Sequence, residues 1–447
     1  MLKHEERERR SLSLSHTHTH TFVHAYTHST NSTHTYTGVR YGPVFLEAAR
    51  FEERIGEHFN AVRLVEMGLQ RVSHYGPLWF AAFRIHERLE AESGRMPVAF
   101  HLPRTRNALS AALQALPPEL RWKVHFVAAH VEMRAAAAIR PQNEASAREC
   151  IERCRDAFTR SVTLCPTNLK WKVRAAAARL ELRIKNVKDA RGHLDEALQS
   201  APMKYRSLVL IERAALEELT SNINEARRYL DVSMLKPAAA TAATTQETTT
   251  RTTTENNKKN KSRNSRVDGR WRLIHSRALL ELRAGNLTYA TEIVRKALES
   301  EQGNGRLWAL SLQLKQRSSS CKSDEIHDIL TRALGLAPKS GEVWCEGCRY
   351  YLNPKHDRFS LSKSRDCISR ALRFTPQFGD TFIEWLRLEI LEKLKSLDSR
   401  MSWNTKTIMA LDTSHVECRC VHADPNYGEL WFQCKLRPCV FFFLLWF

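Results

Sequence analysis

The stretch Glu181-Leu-Arg-Ile-Lys-Asn186-Val-Lys-Asp-Ala190-Arg191 decides the fold, because its pattern recurs twice further along the chain. Glu217-Glu-Leu-Thr-Ser-Asn222-Ile-Asn-Glu-Ala226-Arg227 follows 36 residues later, and Glu281-Leu-Arg-Ala-Gly-Asn286-Leu-Thr-Tyr-Ala290 follows 64 residues after that. A recurrence every ~34–37 residues is typical of stacked helical hairpins. The pattern therefore predicts an all-α solenoid of antiparallel hairpins, and with it a binding scaffold rather than an enzyme.

Each part of the phrase has a structural explanation. An aromatic residue such as Trp271 opens the first helix, and a glutamate lies near its end. Gly or Asn then supplies the turn, as in Gly285-Asn286, because the backbone there needs a residue that tolerates the left-handed conformation. The small alanines are expected where the paired helices cross closely; they are Ala190, Ala226 and Ala290.

The same period extends the prediction along the chain. Trp271, Trp308 and Trp344 are spaced by 37 and 36 residues. The predicted first helices include 45–56, 171–183, 206–219 and 382–394, with another beginning at Trp122, and the predicted second helices include 60–69, 147–162, 190–198 and 225–235. Pro77 is expected to end the first hairpin, and 424–431 to open one more.

Composition divides the chain into five segments. We expect a disordered His/Thr-rich tail over 1–40, repeats over 41–237, a disordered Thr/Asn/Lys-rich insertion over 238–266, repeats over 267–436 and an apolar tail over 437–447. The apolar tail resembles the product of an incomplete gene model. The histidines of the first tail bind metal in one interpretation and are a plain low-complexity tract in the other. The basic residues of the insertion form an import signal, a phosphate-binding arm or a solvated linker.

The charge of the chain is its second strong signal. The formal net charge is +20 and the sequence pI is about 9.7. Such a surplus favours a polyanionic partner, either nucleic acid or an anionic membrane. The chain has no run of 18 apolar residues, so a membrane span is not expected. The eleven cysteines lack the spacing of a disulfide framework, which favours a reducing compartment.

The sequence offers little for catalysis or metal binding. Cys345-Glu-Gly-Cys348 is a lone CxxC without a second pair. A looser group of candidate zinc ligands is explained equally well by a repeat boundary; its members are Cys418, Cys420, His422, Cys434 and Cys439. Nucleotide-binding and hydrolase motifs are missing from the sequence. We therefore expect no enzymatic activity, no cofactor and no metal.

These repeats resemble the HAT (half-a-TPR) class of tetratricopeptide-like repeats. An aromatic residue, a glutamate, a Gly or Asn turn, Ala-Arg and a Leu-rich second helix before Pro follow one another in that order. The tract from Cys154 to Pro202 is particularly similar to pre-mRNA splicing factors of the tri-snRNP-bridging and crooked-neck type. The resemblance implies a scaffold of an RNA-processing complex in the nucleus, with organellar or cytoplasmic alternatives.

Arginines at matched repeat positions are the candidate binding residues. Arg183 and Arg283 lie two residues past the phrase glutamate, and Arg213 and Arg277 lie four residues before it. Such a ladder can meet successive phosphates of RNA. It equally fits the binding of a protein partner, or solubilising charge with partners one helical turn away.

The repeats and the charge are compatible with two functions. In the first, the chain binds protein partners of a multi-subunit RNA-processing complex, with RNA as a further partner. In the second, it is a TPR-type adaptor in chaperoning or trafficking that never meets RNA. Neither involves a membrane or a small-molecule substrate.

Overall fold

The computed structural model describes residues 41–92, 102–141, 143–235, 269–318, 322–354, 356–396, 412–428 and 430–431. The His/Thr-rich tail, the basic insertion and the apolar tail predicted from the sequence lie outside these ranges. Within them the backbone is helical, apart from turns, loops and one isolated bridge between Phe378 and Tyr427. The all-α class expected from the repeat phrase is confirmed.

The chain divides into two compact units between Pro202 and Met203. The first unit contains α1 (Gly42–Ile55), α2 (His58–Arg71), α3 (Gly76–Glu92), α4 (Pro103–Ala115), α5 (Pro118–Ile139), α6 (Glu144–Leu164), α7 (Lys170–Arg183) and α8 (Val187–Ser200). The second contains α9 (Met203–Leu219), α10 (Ile223–Tyr229), α11 (Arg270–Arg283), α12 (Leu287–Ser300), α13 (Gly305–Arg317), α14 (Ser323–Leu336), α15 (Gly341–Tyr351), α16 (Leu361–Phe374), α17 (Asp380–Ser396) and α18 (Ser414–Ala423).

The helices pack in sequential pairs, as the period predicts. The three alanines expected at the helix crossings, Ala190, Ala226 and Ala290, are each fully buried. In the second unit one apolar core links successive pairs, because side chains of α11 to α15 all contribute to it. In this part of the second unit, each first helix therefore buries one face against its partner helix and another against the next hairpin.

Two sequence predictions differ from the structure, and two helices were missed. Pro77 lies in the first turn of α3, where its missing N–H costs nothing, and so begins a helix instead of ending a hairpin. The helix predicted over 225–235 is interrupted, because the Asp231 carboxylate accepts the Ser233 N–H at 2.8 Å. Helices α4 and α18 were not predicted. The start of α4 depends on a distant residue, since the Glu90 carboxylate accepts the Arg104 and Thr105 N–H groups.

The tryptophan period is explained by a recurring hydrogen bond. The indole Nε1 of Trp308 donates to the Gln302 carbonyl at 2.7 Å, and that of Trp344 donates to the Pro338 carbonyl at 2.8 Å. Both acceptors lie six residues before their tryptophan, in the loop that leads into the first helix. Trp431 makes the same bond to Pro425 at 3.1 Å, so the spacing predicted for this last segment also holds. The ring thereby fastens the loop to the helix that it opens.

The left-handed residue of the turn between paired helices lies directly before the asparagine, and it is the expected glycine in only one of three turns. Lys185, Ser221 and Gly285 have φ of 64°, 64° and 85°, and the asparagine that follows each of them has a negative φ. The asparagine N–H bonds back to the phrase glutamate carbonyl at 2.8 Å in all three turns. This is the Schellman arrangement, in which glycine is the favoured residue at the left-handed position.

The asparagine of the phrase also holds the glutamate side chain. Glu181, Glu217 and Glu281 are 2%, 3% and 1% exposed. In each case the asparagine five residues later donates Nδ2 to the carboxylate, at 2.8, 3.1 and 2.9 Å. The Glu-x4-Asn spacing thus ties the end of the first helix to the start of the second.

An arginine from the preceding second helix supplies the countercharge. Arg155 on α6 binds both oxygens of Glu181 at 2.8 Å, and Arg227 on α10 binds those of Glu281 at 2.9 and 2.8 Å. Arg106 on α4 binds Glu132 on α5 in the same way. The partners are 26 residues apart in the first unit and 54 apart across the insertion. At these three positions the bidentate pair links one hairpin to the preceding one within its unit, whereas Glu217 pairs with Arg213 on its own helix.

The left-handed turns allow a test with matched glycines. Lys185→Gly should raise the free energy of unfolding by about 0.5–1 kcal/mol, because it removes the strain of a side chain at positive φ. Gly285→Ala should lower it by about 1 kcal/mol, although an added Cβ there meets nothing within 4 Å. The control is Gly192→Ala inside α8, where the space is equally open and alanine should stabilise the helix. Thermal unfolding of the full chain would show whether Gly285→Ala lowers the free energy of unfolding while Gly192→Ala raises it.

The buried pair of Glu281 predicts an acid-sensitive contribution to stability. Hydrogen bonds from Arg227, Asn286 and Arg277 lower the pKa of Glu281 to about 2 against the opposing effect of burial. The stabilisation is therefore complete above pH ~5 and is lost as the pH falls toward 2. We expect Glu281→Gln to cost about 2–3 kcal/mol at pH 7.

Chemical unfolding at pH 7, 5, 4 and 3 measures this effect. The difference in the free energy of unfolding between Glu281→Gln and the wild type should become smaller as the pH falls. The exposed residue Glu299, on the neighbouring helix α12, provides the control. Glu299→Gln should change stability by less than about 0.5 kcal/mol. A Glu281→Gln deficit that stays constant over this range would contradict the ion-pair explanation.

Candidate functional site

Two of the four predicted arginines lie in the interior of the second unit. Arg213 is 7% exposed, pairs with Glu217 and places its guanidinium 4.8 Å from the centre of the Tyr229 ring. Arg277 is half-buried, with Nε 2.8 Å from Glu281 Oε1 and Nη1 2.8 Å from the Arg227 carbonyl. A phosphate would reach either guanidinium only after these contacts open.

The other two predicted arginines lie at the surface. Arg283 has a 53% exposed side chain and makes a bidentate pair with Glu218 at 2.6 and 2.8 Å. Arg183 ends α7 with an exposed side chain, and no carboxylate pairs with it among the residues described. The structure thus separates the matched ladder into interior and surface members, and RNA contact by any of them stays a prediction.

Arg183 belongs to a cluster that the repeat pattern does not reveal. Burial lowers the pKa of His130, and the positive charges of Arg134, Arg179 and Arg183 lower it further, although a bond to the Phe126 carbonyl opposes the shift. Three guanidinium groups therefore lie close to one imidazole. We call these four residues, from α5 and α7, the basic patch.

The basic patch has a simple helical origin. Arg179 and Arg183 are four residues apart on α7, and His130 and Arg134 are four apart on α5. This spacing places both members of each pair on one face of their helix. Glu87 on α3 neutralises part of the charge, because it binds Arg134 at 2.5 and 2.6 Å. The i, i+4 spacing of these two pairs is visible in the sequence, but the repeat pattern identified only Arg183 as a candidate.

The first helices of the second unit line a groove with two connected cavities. The larger cavity has a volume of about 670 Å³ and lies against the loops that precede α13 and α15. The smaller has a volume of about 180 Å³ and lies against α11, α13, α15 and the start of α17. Arg306 and Glu342 line both cavities, so we treat the two as one groove.

Arg306 is held at the junction of the two cavities by aromatic and acidic groups. Its guanidinium lies 5.5 Å from the centre of the Trp271 ring and 4.7 Å from that of Tyr427. Its Nε is 3.1 Å from Glu342 Oε1, which also accepts the Tyr427 hydroxyl at 2.9 Å. Burial opposes ionisation of Glu342, but hydrogen bonds, including those from Ser340 and Tyr427, outweigh it and lower its pKa. The groove therefore carries a charged carboxylate at neutral pH.

His275 adds a neutral polar group to the groove. Burial, and secondarily the positive charge of Arg306, lower the pKa of its imidazole to about 4. At pH 7 this ring can donate or accept a hydrogen bond without carrying charge. The groove thus combines aromatic, apolar, neutral polar and charged groups, as ligand-binding clefts do.

The described residues show no arrangement for metal binding. No three His, Cys, Asp or Glu side chains in those ranges gather in a way that could hold an ion. Cys345 and Cys348 are buried on α15, and burial raises the pKa of both thiols, so they are protonated. Cys434 and Cys439 of the zinc hypothesis lie outside the described ranges. None of the helices in those ranges has the length and apolar character needed to cross a bilayer.

Comparison with known proteins assigns the repeats to a family. The family described as "PRP6, TPR-like domain" matches residues 35–239 and again residues 238–440. A TPR-containing protein of Dictyostelium discoideum is 36% identical over 398 residues, which are 89% of this chain. The chain spans only 25% of the length of that relative.

Solved structures of tetratricopeptide repeat proteins also resemble the chain. A protein from Parabacteroides merdae has a TM-score of 0.32 at 11% identity and covers 66% of this chain and 99% of its own. Yeast Tom70 has a TM-score of 0.39 at 10% identity and covers 86% of this chain and 82% of its own. The assignment does not depend on these two likenesses, because the domain matches account for most of the sequence. The chain belongs to the family of proteins with a PRP6, TPR-like domain.

Proposed function

We propose that the chain is a non-enzymatic scaffold of a nuclear RNA-processing assembly that acts in pre-mRNA splicing. The observation that carries this proposal is the match of both halves of the chain to the TPR-like domain of PRP6, a splicing factor. The finer resemblance to HAT repeats of the crooked-neck type agrees with the same assembly. Repeats of this kind generally mediate contacts between proteins, which fits the open groove of the second unit.

The basic patch of the first unit supports RNA as a further ligand. Arg179 and Arg183 have exposed side chains on one face of α7, beside His130 and Arg134. Cations at such spacing can contact neighbouring phosphates without reading the bases. The net charge of +20 would add long-range attraction. Within the predicted ladder, Arg183 and the surface residue Arg283 are the members we propose for this contact.

RNA binding is tested with the full chain and a mixed-sequence single-stranded RNA over a salt series. Arg179→Glu with Arg183→Glu should weaken binding at least tenfold, and should flatten the salt dependence by about 0.7 for each phosphate that the variant no longer binds. The matched control is Arg148→Glu with Arg160→Glu on α6, which makes the same charge change at two exposed positions. Equal weakening in both double variants would indicate only the general field of the chain, and no weakening in either would exclude the basic patch.

Membership of a splicing assembly is tested in cells. A tagged full chain should concentrate in the nucleus and co-purify with spliceosomal RNA and proteins after nuclease-free extraction. The tag alone provides the control for capture. A chain that stays in the cytoplasm, or that co-purifies only with chaperones or trafficking proteins, would contradict the proposed function.

A further inference from the structure

We propose that the smaller cavity of the groove binds one lysine or arginine side chain from a protein partner. This inference rests on the proposed function, because it names the chemistry of the partner that the scaffold holds. The cavity of about 180 Å³ has room for about six water molecules, which is the scale of a single long side chain. It opens toward the larger cavity through the shared residues Arg306 and Glu342.

Carboxylates from two successive first helices line the cavity. Glu342 and Glu346 lie four residues apart on α15, and Asp380 begins α17. Glu346 is 2% exposed and Asp380 is 3% exposed. Buried carboxylates need countercharges, and an incomplete set of them favours a cation from elsewhere.

The charged groups around the cavity leave one carboxylate unbalanced. Among the described residues, ion pairs join three carboxylates and two guanidinium groups, while Arg306 and Glu342 form a separate, balanced pair; the joined groups are Glu346, Asp380 and Glu384 with Arg349 and Arg387. His275 is neutral at pH 7, since its pKa is about 4. The network therefore has a net charge of one negative unit, which a single ammonium or guanidinium group would neutralise.

Glu346 is a cavity-lining carboxylate with remaining hydrogen-bond capacity. Gln313 Nε2 donates to its Oε1 at 2.8 Å, and Arg349 also pairs with Oε1. Its Oε2 accepts no hydrogen bond from any residue within the described ranges, although each carboxylate oxygen can accept two. Burial raises the pKa of Glu346, and a cation beside the carboxylate would oppose that shift.

The other walls suit the stem of a basic side chain. Leu279, Ala309 and Leu310 present apolar surface, and Phe378 and Tyr427 present aromatic rings. A lysine or arginine buries its methylene stem against such surfaces while its head group reaches the carboxylates. The groove already holds one guanidinium in this manner, because Arg306 lies beside the rings of Trp271 and Tyr427 and pairs with Glu342.

The negative charge of the cavity walls favours a basic protein segment over RNA as the ligand. The chain as a whole carries a charge of +20, yet these walls carry a negative charge. A phosphate would meet buried carboxylates here, whereas a basic peptide segment would meet complementary charge. The cavity therefore selects protein over nucleic acid, while the basic patch of the other unit has the opposite preference.

The experiment titrates the full chain with three capped hexapeptides, observed by saturation-transfer NMR. They share the sequence Gly-Ser-Gly-X-Gly-Ser, where X is arginine, lysine or citrulline, the neutral counterpart of arginine. The arginine or lysine peptide should bind, and the citrulline peptide should bind at least tenfold more weakly. Glu346→Gln should weaken the cationic peptides at least tenfold, and Ala309→Met, which fills the cavity without changing its charge, should do the same. Glu299→Gln on α12 should leave binding unchanged.

Several outcomes would overturn the proposal. Equal binding of the citrulline peptide would exclude charge recognition, and binding unaffected by both cavity variants would place the peptide elsewhere. Stronger binding after deletion of 238–266 would identify the basic insertion of the chain itself as the occupant. Thermal unfolding of each variant shows whether weaker binding reflects misfolding.

The failure of the proposed function and the failure of the cavity proposal give different results. If the wild-type chain fails to join a splicing assembly, the proposed function is wrong, while the titration still tests the cavity proposal. If the Glu346→Gln variant co-purifies with the same partners in the same amounts as the wild type does, only the cavity proposal is wrong.

Discussion

The buried glutamate near the end of the first helices that carry the repeat phrase is the constraint on which their hairpins depend. A carboxylate such as Glu281, 1% exposed, is stable there only if its charge is paired and its oxygens are hydrogen-bonded. Asn286 supplies one bond from the turn, and Arg227 supplies two from the preceding hairpin. One residue therefore fixes both the turn within a hairpin and the register between hairpins. At Arg227, which follows Ala226, this bidentate geometry requires arginine and not lysine.

This constraint also determines which charges remain for function. Arginines such as Arg213 and Arg277 pair with buried glutamates, so their guanidinium groups are not available at the surface. The two units then offer surfaces of opposite character. The first has exposed guanidinium groups around His130, and the second has a cavity whose carboxylates exceed its cations. A scaffold with both can hold a phosphate backbone and a basic protein segment at separate places, which suits a ribonucleoprotein assembly.

The sequence was a good guide to local structure and a poor guide to long-range contacts. The helices around the repeat phrase were predicted within a few residues, because helical periodicity and the Glu-x4-Asn turn are local properties. Helix α4 was missed, since its first N–H groups are bound by Glu90, which belongs to the preceding helix. The left-handed residue was expected to be Gly or Asn, which holds for Gly285, but Lys185 and Ser221 occupy this conformation although their residue types disfavour it.

The sequence by itself determined the repeat period, the helical class and the small residues at the helix crossings. It could not determine the partner of each charge, and only the tertiary structure placed Arg213 inside and Arg183 outside. The physical reason is that period and composition fix which face of a helix is apolar, whereas ion pairs form between hairpins. Their partners are 26 residues apart in one unit and 54 apart across the insertion. The cavity is likewise a property of the fold, because its walls come from four helices that meet only when the hairpins stack.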